Sequence, residues 1–191
     1  MSSLLSWVDY ENQTNSTLSD LDGRAFANRI AESLLAWSAR YCNRLGWEYD
    51  TYAETFSPDE YLSTFYVSAL PLDPTQSVTV ATFNDASDSY DSYTGTVRKN
   101  ATGTIKTTDS LGYGYESVRV SYTGGYTELP EDLKQALTEL LVQKVNDAIN
   151  GGMTVSEVRA IDYSEKYTLN TAEMPADAME VLDSYRLPVV A

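Results

Sequence analysis

The sequence predicts an α+β protein: a helical body, made of a long N-terminal helix, a central helix and a short C-terminal helix, interrupted by an antiparallel β-rich insertion. Three observations carry this reading. Apolar residues recur at spacings of three and four from Phe26 to Leu45 and again from Leu133 to Val145, as one face of a helix requires. Between Trp47 and Thr123 the period falls to two, and aromatic and β-branched residues dominate. Across residues 118–142 a strand pattern, two glycines, a proline and a helix pattern follow one another without a gap. The expected organisation is one domain over residues 1–191, with the helical body at 1–46 and 130–191 and the insertion at 47–129. A chain of 191 residues is long enough to build a substantial core.

The elements follow in order. Leu4, Leu5, Trp7, Val8 and Tyr10 suffice for one short helix, broken by the polar residues 12–15. From about residue 21, Phe26, Ile30, Leu34, Trp37, Tyr41 and Leu45 mark a helix of roughly six turns, with Gly46 placed to cap its C-terminus. In the insertion, residues 54–56, 61–67, 77–83 and 95–108 read as short strands, four to six in all, punctuated by Pro71 and Pro74. The polar stretch 84–93 reads as a loop, and 111–115, Leu-Gly-Tyr-Gly-Tyr, as a hairpin turn. Val118, Val120 and Tyr122 alternate with Arg119, Ser121 and Thr123 as a half-buried strand does. Gly124 and Gly125 allow a sharp turn, and Pro130 opens a helix whose first turn holds Glu131 and Asp132, at the positive end of its dipole. Leu133, Leu137, Leu140, Leu141 and Val145 give that helix its apolar face, and Gly151-Gly152 ends it. Residues 154–159 read as a further helical turn and 161–169 as extended chain. Pro175 opens a last helix with Met179, Leu182 and Tyr185 on one side, before the apolar end Leu187-Pro188-Val189-Val190.

Composition narrows the chemistry. There are 28 acidic against 13 basic residues, a net charge of −15. Such a charge repels phosphate and disfavours tight binding to nucleic acid, which needs a basic surface that releases counterions; it leaves room for DNA to pass without capture. The chain has no histidine, which removes the usual general base, the commonest metal ligand and the Ser-His and Cys-His nucleophile pairs. Its single cysteine, Cys42, cannot form an internal disulfide and reads as a small buried thiol. No basic apolar leader and no run of eighteen apolar residues is present, so a soluble, intracellular protein is expected.

The carboxylates Asp50 with Glu54, and Asp88 with Asp91, could be set at glycosidase distance only by the fold, and read as solvated surface. Asp85, Asp88 and Asp91 lack the spacing and closing Glu of a calcium loop, and the glycines of 111–115 complete no phosphate-binding motif. Catalytic residues, metal ligands and cofactors are therefore all expected to be none. The fifteen tyrosines carry a different message. Tyrosine offers a large apolar face at low entropy cost and a hydroxyl that tolerates water, which suits sheet packing, protein interfaces and sugar-binding faces.

The order of elements and three short motifs resemble the head-tail connector (adaptor) proteins of tailed bacteriophages. The motifs are Val-Arg-Val-Ser-Tyr-Thr-Gly-Gly-Tyr at 118–126, Leu-Pro-Glu-Asp-Leu-Lys-Gln-Ala-Leu at 129–137 and Tyr-Arg-Leu at 185–187, and the segment at 162–167 also fits. The long Thr-rich insertion and the marked acidity depart from the pattern. The resemblance implies a structural virion protein of the neck, with no enzymatic activity. It implies a self-assembled ring, expected to be a dodecamer, beneath the portal protein, extending the DNA channel and offering its lower face to a downstream neck or tail protein. DNA passes through without specific binding, and no membrane is involved. On this reading Gly124, Gly125, Tyr126 and Pro130 form a structural turn, and Tyr185, Arg186, Leu187, Val189 and Val190 dock on the portal. The alternative is a carbohydrate- or protein-binding module of a phage tail, with the Tyr-rich insertion as its binding face.

Overall fold

A computed structural model of the chain describes residues 4–18, 21–150 and 175–188. It is an α+β protein in which the described residues form four helices and two antiparallel sheets. Contacts divide it into two compact units, one of Met1–Cys42 with Glu128–Leu187 and the other built on Asn43–Thr127.

The first unit holds the helices. Helix α1, Trp7–Thr14, begins at Ser6, whose backbone N–H donates to Asp9 Oδ2 at 2.8 Å, the reach-back arm of a capping box. It runs past Asn12 and stops only at Asn15, in the left-handed conformation with φ 50° that asparagine tolerates. Helix α2 spans Leu21–Tyr41. It ends before Leu45 and Gly46: Asn43, at φ 55°, turns the chain first, and Leu45 is left exposed. The buried side of α2 also differs from the large-residue stripe expected. Phe26, Leu34 and Leu35 are buried, and their companions are the small residues Ala27, Ala31, Ser38, Ala39 and, just past the helix, Cys42. Small residues carry little hydrophobic signal, so much of the buried face of α2 is inconspicuous in the sequence.

Helix α3, Glu131–Asn150, is packed against α1, α2 and the last helix, α4, Ala176–Ser184. Its Leu133, Leu137, Leu140, Leu141 and Val145 are 0–1% exposed. Burial of each such side chain contributes about 1.5–3 kcal/mol. In α4, which starts after Pro175, Ala178 and Leu182 are buried, while Tyr185 forms the C-terminal cap. The expectations for 151–152, 154–159, 161–169 and 162–167 lie outside the described residues.

The second unit holds seven strands, more than the four to six the sequence suggests. They are β1 (Asp50–Phe56), β2 (Leu62–Tyr66), β3 (Thr79–Asn84), β4 (Ser89–Ser92), β5 (Val97–Lys99), β6 (Thr104–Leu111) and β7 (Val118–Gly124). One sheet has the order β1-β7-β3-β4 and the other β2-β6-β5. Strand β7 is central to the larger sheet, pairing Tyr122 with Tyr52 of β1 and Val120 with Val80 of β3. Val118, Val120 and Tyr122 are 0–1% exposed and face inward.

Two readings of the sequence are corrected here. Part of the supposed loop 84–93 is strand β4, because Asn84 builds a tight turn: its Oδ1 accepts from Ala86 N at 3.0 Å and its Nδ2 donates to Asp91 Oδ2 at 2.6 Å. Tyr90 then packs edge-on to Phe83 across the hairpin. Residues 111–115 are not a hairpin turn, since β6 and β7 belong to different sheets. Three residues at positive φ, Gly112, Gly114 and Glu116, carry the chain from one to the other.

Candidate functional site

The turn after β7 is fixed by backbone crowding. A side chain on Gly124 would place its Cβ 2.2 Å from the carbonyl oxygen of Ala69. Gly125 has φ +95°, and a Cβ there would lie 2.1 Å from the carbonyl oxygen of Glu48. Tyr126 then donates its N–H to Trp47 O at 2.7 Å and accepts at its own carbonyl from Tyr49 N at 2.9 Å. Its ring lies 6.3 Å from that of Trp47. Pro130 immediately precedes α3 and accepts from Lys134 N at 2.8 Å, as the first carbonyl of the helix.

Behind this turn sits a polar knot that sequence reasoning missed. The Tyr122 hydroxyl, inside the sheet, donates to Glu54 Oε1 and accepts from Ala69 N at 2.9 Å, and Glu54 Oε1 also accepts from Ser68 N at 2.8 Å. Burial, then the neighbouring carboxylate, raises the Tyr122 pKa well above the ordinary tyrosine value, so the phenol stays neutral. Glu54 is thus a fastener of the 68–69 segment and not half of a carboxylate pair with Asp50. A second knot gathers on Asp73. Its Oδ1 accepts from Thr75 Oγ1 at 2.6 Å and Thr75 N at 2.7 Å, its Oδ2 accepts from the Tyr49 hydroxyl, and Lys99 Nζ donates to its carbonyl at 2.5 Å. The Thr75 hydroxyl, then Tyr49, hold its carboxyl down to about 2. A buried tyrosine on an alternating strand was visible in sequence; its partners, 53 and 68 residues away, were not.

The proposed docking arm is tied to its own unit where it is described. Tyr185 donates its hydroxyl to Asp132 Oδ1 at 2.8 Å, the Arg186 guanidinium lies 5.2 Å from the centre of the Tyr41 ring, and Leu187 N donates to Cys42 O at 2.9 Å. Tyr41 in turn stacks on Trp37 and donates to Asp183 Oδ1 at 2.7 Å, a bond that raises its pKa. The Cys42 thiol is fully buried and lies 3.3 Å from Leu182 O. Val189 and Val190 lie outside the described residues. Asp88 sits at φ 50° in the turn beside Asn84, and among the described residues no group of three or more acidic or cysteine side chains is placed to hold a metal. No described helix is long and apolar enough to cross a membrane.

The features so far are those of a scaffold: its polar side chains fasten one stretch of backbone to another, and its fold is one found in phage-like particle necks. The structure aligns over 100% of its length with 95% of a chain in the neck of an empty GTA particle computed with C6 symmetry, at a TM-score of 0.64 and 14% identity. It aligns over the same shares with a chain in the neck of a native GTA particle computed with C12 symmetry, at 0.59 and 14%. In the virion of the native gene transfer agent (GTA) particle, 88% of this chain matches 80% of another at 0.54 and 15%. The chain belongs to the head completion protein family, whose model matches residues 3–187. Comparison with curated proteins gave no match. Family membership agrees with the resemblance of the 118–126, 129–137 and 185–187 motifs to head-tail connector proteins.

Proposed function

We propose that this protein is a structural component of the neck of a tailed phage-like particle, without catalytic activity, that assembles as a ring under the portal and joins head to tail. The observation that carries the proposal is the match of the head completion family model to almost the whole chain. The shared fold with chains of necks computed with C6 and C12 symmetry supports a ring, for which we propose twelve copies. In this reading the helices are the body of the ring subunit and the β unit its insertion. The net charge of −15 suits a channel wall along which DNA slides without capture. The C-terminal arm, from Tyr185, Arg186 and Leu187 to Val189 and Val190, docks on the portal, and the opposite face of the ring receives the next neck or tail protein.

The test is removal of residues 188–191, which spares the Leu187–Cys42 bond. The shortened protein should keep its melting temperature and lose its binding to isolated portal; unchanged binding would refute the assignment of the arm. Electron microscopy of the protein with portal should show stacked rings. A second reading, a Tyr-rich carbohydrate- or protein-binding module, is favoured by one observation: Tyr61, Tyr113 and Tyr115 are 67–83% exposed, and the first two stack at 6.1 Å. A monomer that ignores portal yet binds a glycan array would establish that reading instead.

A further inference from the structure

Within the β unit, the sheet β2-β6-β5 turns Ile105 and Phe65 inward and leaves its other face outward. Register places Arg98 of β5 directly opposite Lys106 of β6, and Thr64 of β2 opposite Lys106 on the other side. Residues directly opposite in an antiparallel pair share a face, so two cations sit side by side there, an arrangement that disfavours the sheet unless negative charge is brought to it. Among the described residues neither makes an ion pair. The neighbouring cation Lys99, of opposite parity, is by contrast held by the carbonyls of Asp73 and Gln76. Tyr66, 52% exposed, lies on the Arg98–Lys106 face opposite Thr104, and none of the residues that the register places there, Thr64, Tyr66, Arg98, Thr104 and Lys106, is a carboxylate. An uncompensated cation pair beside an exposed tyrosine, in a chain of net charge −15, is built to receive an acidic surface.

The same unit carries a surface of the complementary kind. Residues 57–61 and 112–117 form a tip at the Leu62–Leu111 end of this sheet, held together by Gly114 N donating to Pro58 O at 2.9 Å and Glu116 N to Ser57 Oγ at 2.8 Å. Exposed Asp59, Glu60 and Glu116 surround the exposed Tyr61, Tyr113 and Tyr115, and the two segments hold no cation.

We infer that the Arg98–Lys106–Tyr66 face of one copy docks on the Asp59–Glu60–Tyr61 tip of a second copy of this chain. The inference rests on the ring reading and names its contact. Because the two surfaces differ, the contact is heterologous, the kind that propagates from copy to copy and closes into a ring when the rotation allows. Two cations on so acidic a protein are too few to hold a duplex, which favours a protein occupant over DNA.

A charge swap tests this on the full chain, followed by electron microscopy and mass photometry of the protein alone and on isolated heads. R98E/K106E should lower ring yield about ten-fold while circular dichroism and melting temperature stay those of the wild type, and D59K/E60K should do the same. Combining the four changes should restore rings. Undiminished rings in the reversed variants would overturn this contact while leaving the ring reading intact; no rings from the wild type in either setting would overturn both. Loss of duplex-DNA binding by R98E/K106E with rings retained would assign the face to DNA and overturn the inference.

Discussion

Helix α3 and strand β7 stand on either side of Pro130, and each is the central element of its own unit, yet they are held in opposite ways. The face of α3 is a row of leucines and a valine, buried against three other helices. Any apolar side chain of similar volume would serve at most of those positions. The end of β7 is held by residues that have no substitutes: a tyrosine whose hydroxyl fastens two segments, and two glycines against which backbone carbonyls are pressed. Packing in one unit is general, and in the other it is positional. A helical unit can absorb sequence drift, whereas the β unit fixes particular side chains in particular places.

The contrast can be broken or sharpened by substitution. Leu137→Ala in α3 should have the largest effect, a loss of about 2–5 kcal/mol of unfolding free energy in urea denaturation, because it opens a cavity at a position with 0% exposure. Leu137→Met should lose under about 1.5 kcal/mol, as general packing requires; an equal loss from both would erase the distinction. Gly125→Val comes next, with a loss on the order of 1–3 kcal/mol from its positive φ, and no apolar residue should rescue it. Tyr122→Phe removes only a hydroxyl and keeps the ring, yet should cost about 1–3 kcal/mol because Ala69 N loses its partner. The smallest effect is a pH dependence. Asp73 is held at about 2 in the fold against about 3.9 in an unfolded chain, so its contribution is complete above about pH 4 and fades as pH falls toward 2. Asp73→Asn should flatten that part of the stability profile, measured by thermal melts from pH 2 to pH 6.

What the sequence made legible follows the same division. The leucine period of α3, the alternation of β7, Pro130 and Pro175 are local signals, and each marks an element that forms where the signal lies. Helix α2 was legible near its start and, through Phe26 and Leu34, in part of its face; Ala27, Ala31 and Ala39, buried as well, carry almost no hydrophobic signal. Its end was misplaced because an asparagine in the left-handed region stopped it before the more obvious glycine. In the β unit the alternation announces strands but not their order: β1 pairs with β7 across more than half the unit, and nothing in either strand names the other. Strand β4 was hidden by its polarity, its pairing being set by the Asn84 turn and the Tyr90–Phe83 contact. Of the turn and arm residues, the glycines were readable from backbone chemistry alone. The fastenings of Tyr185, Arg186 and Leu187 required knowing which helix ends meet.

The bonds between Trp47, Tyr49 and Tyr126 have one more consequence. Tyr126 N to Trp47 O and Tyr49 N to Tyr126 O form a short parallel bridge, so the strand by which the chain enters the β unit and the strand by which it leaves are clasped side by side. The clasp is reinforced by the segment it encloses: Gly125 N also donates to Pro71 O at 3.1 Å and the Tyr49 hydroxyl to Asp73, so the spacing of the entering and leaving strands is set by bonds from inside the unit as well as by each other.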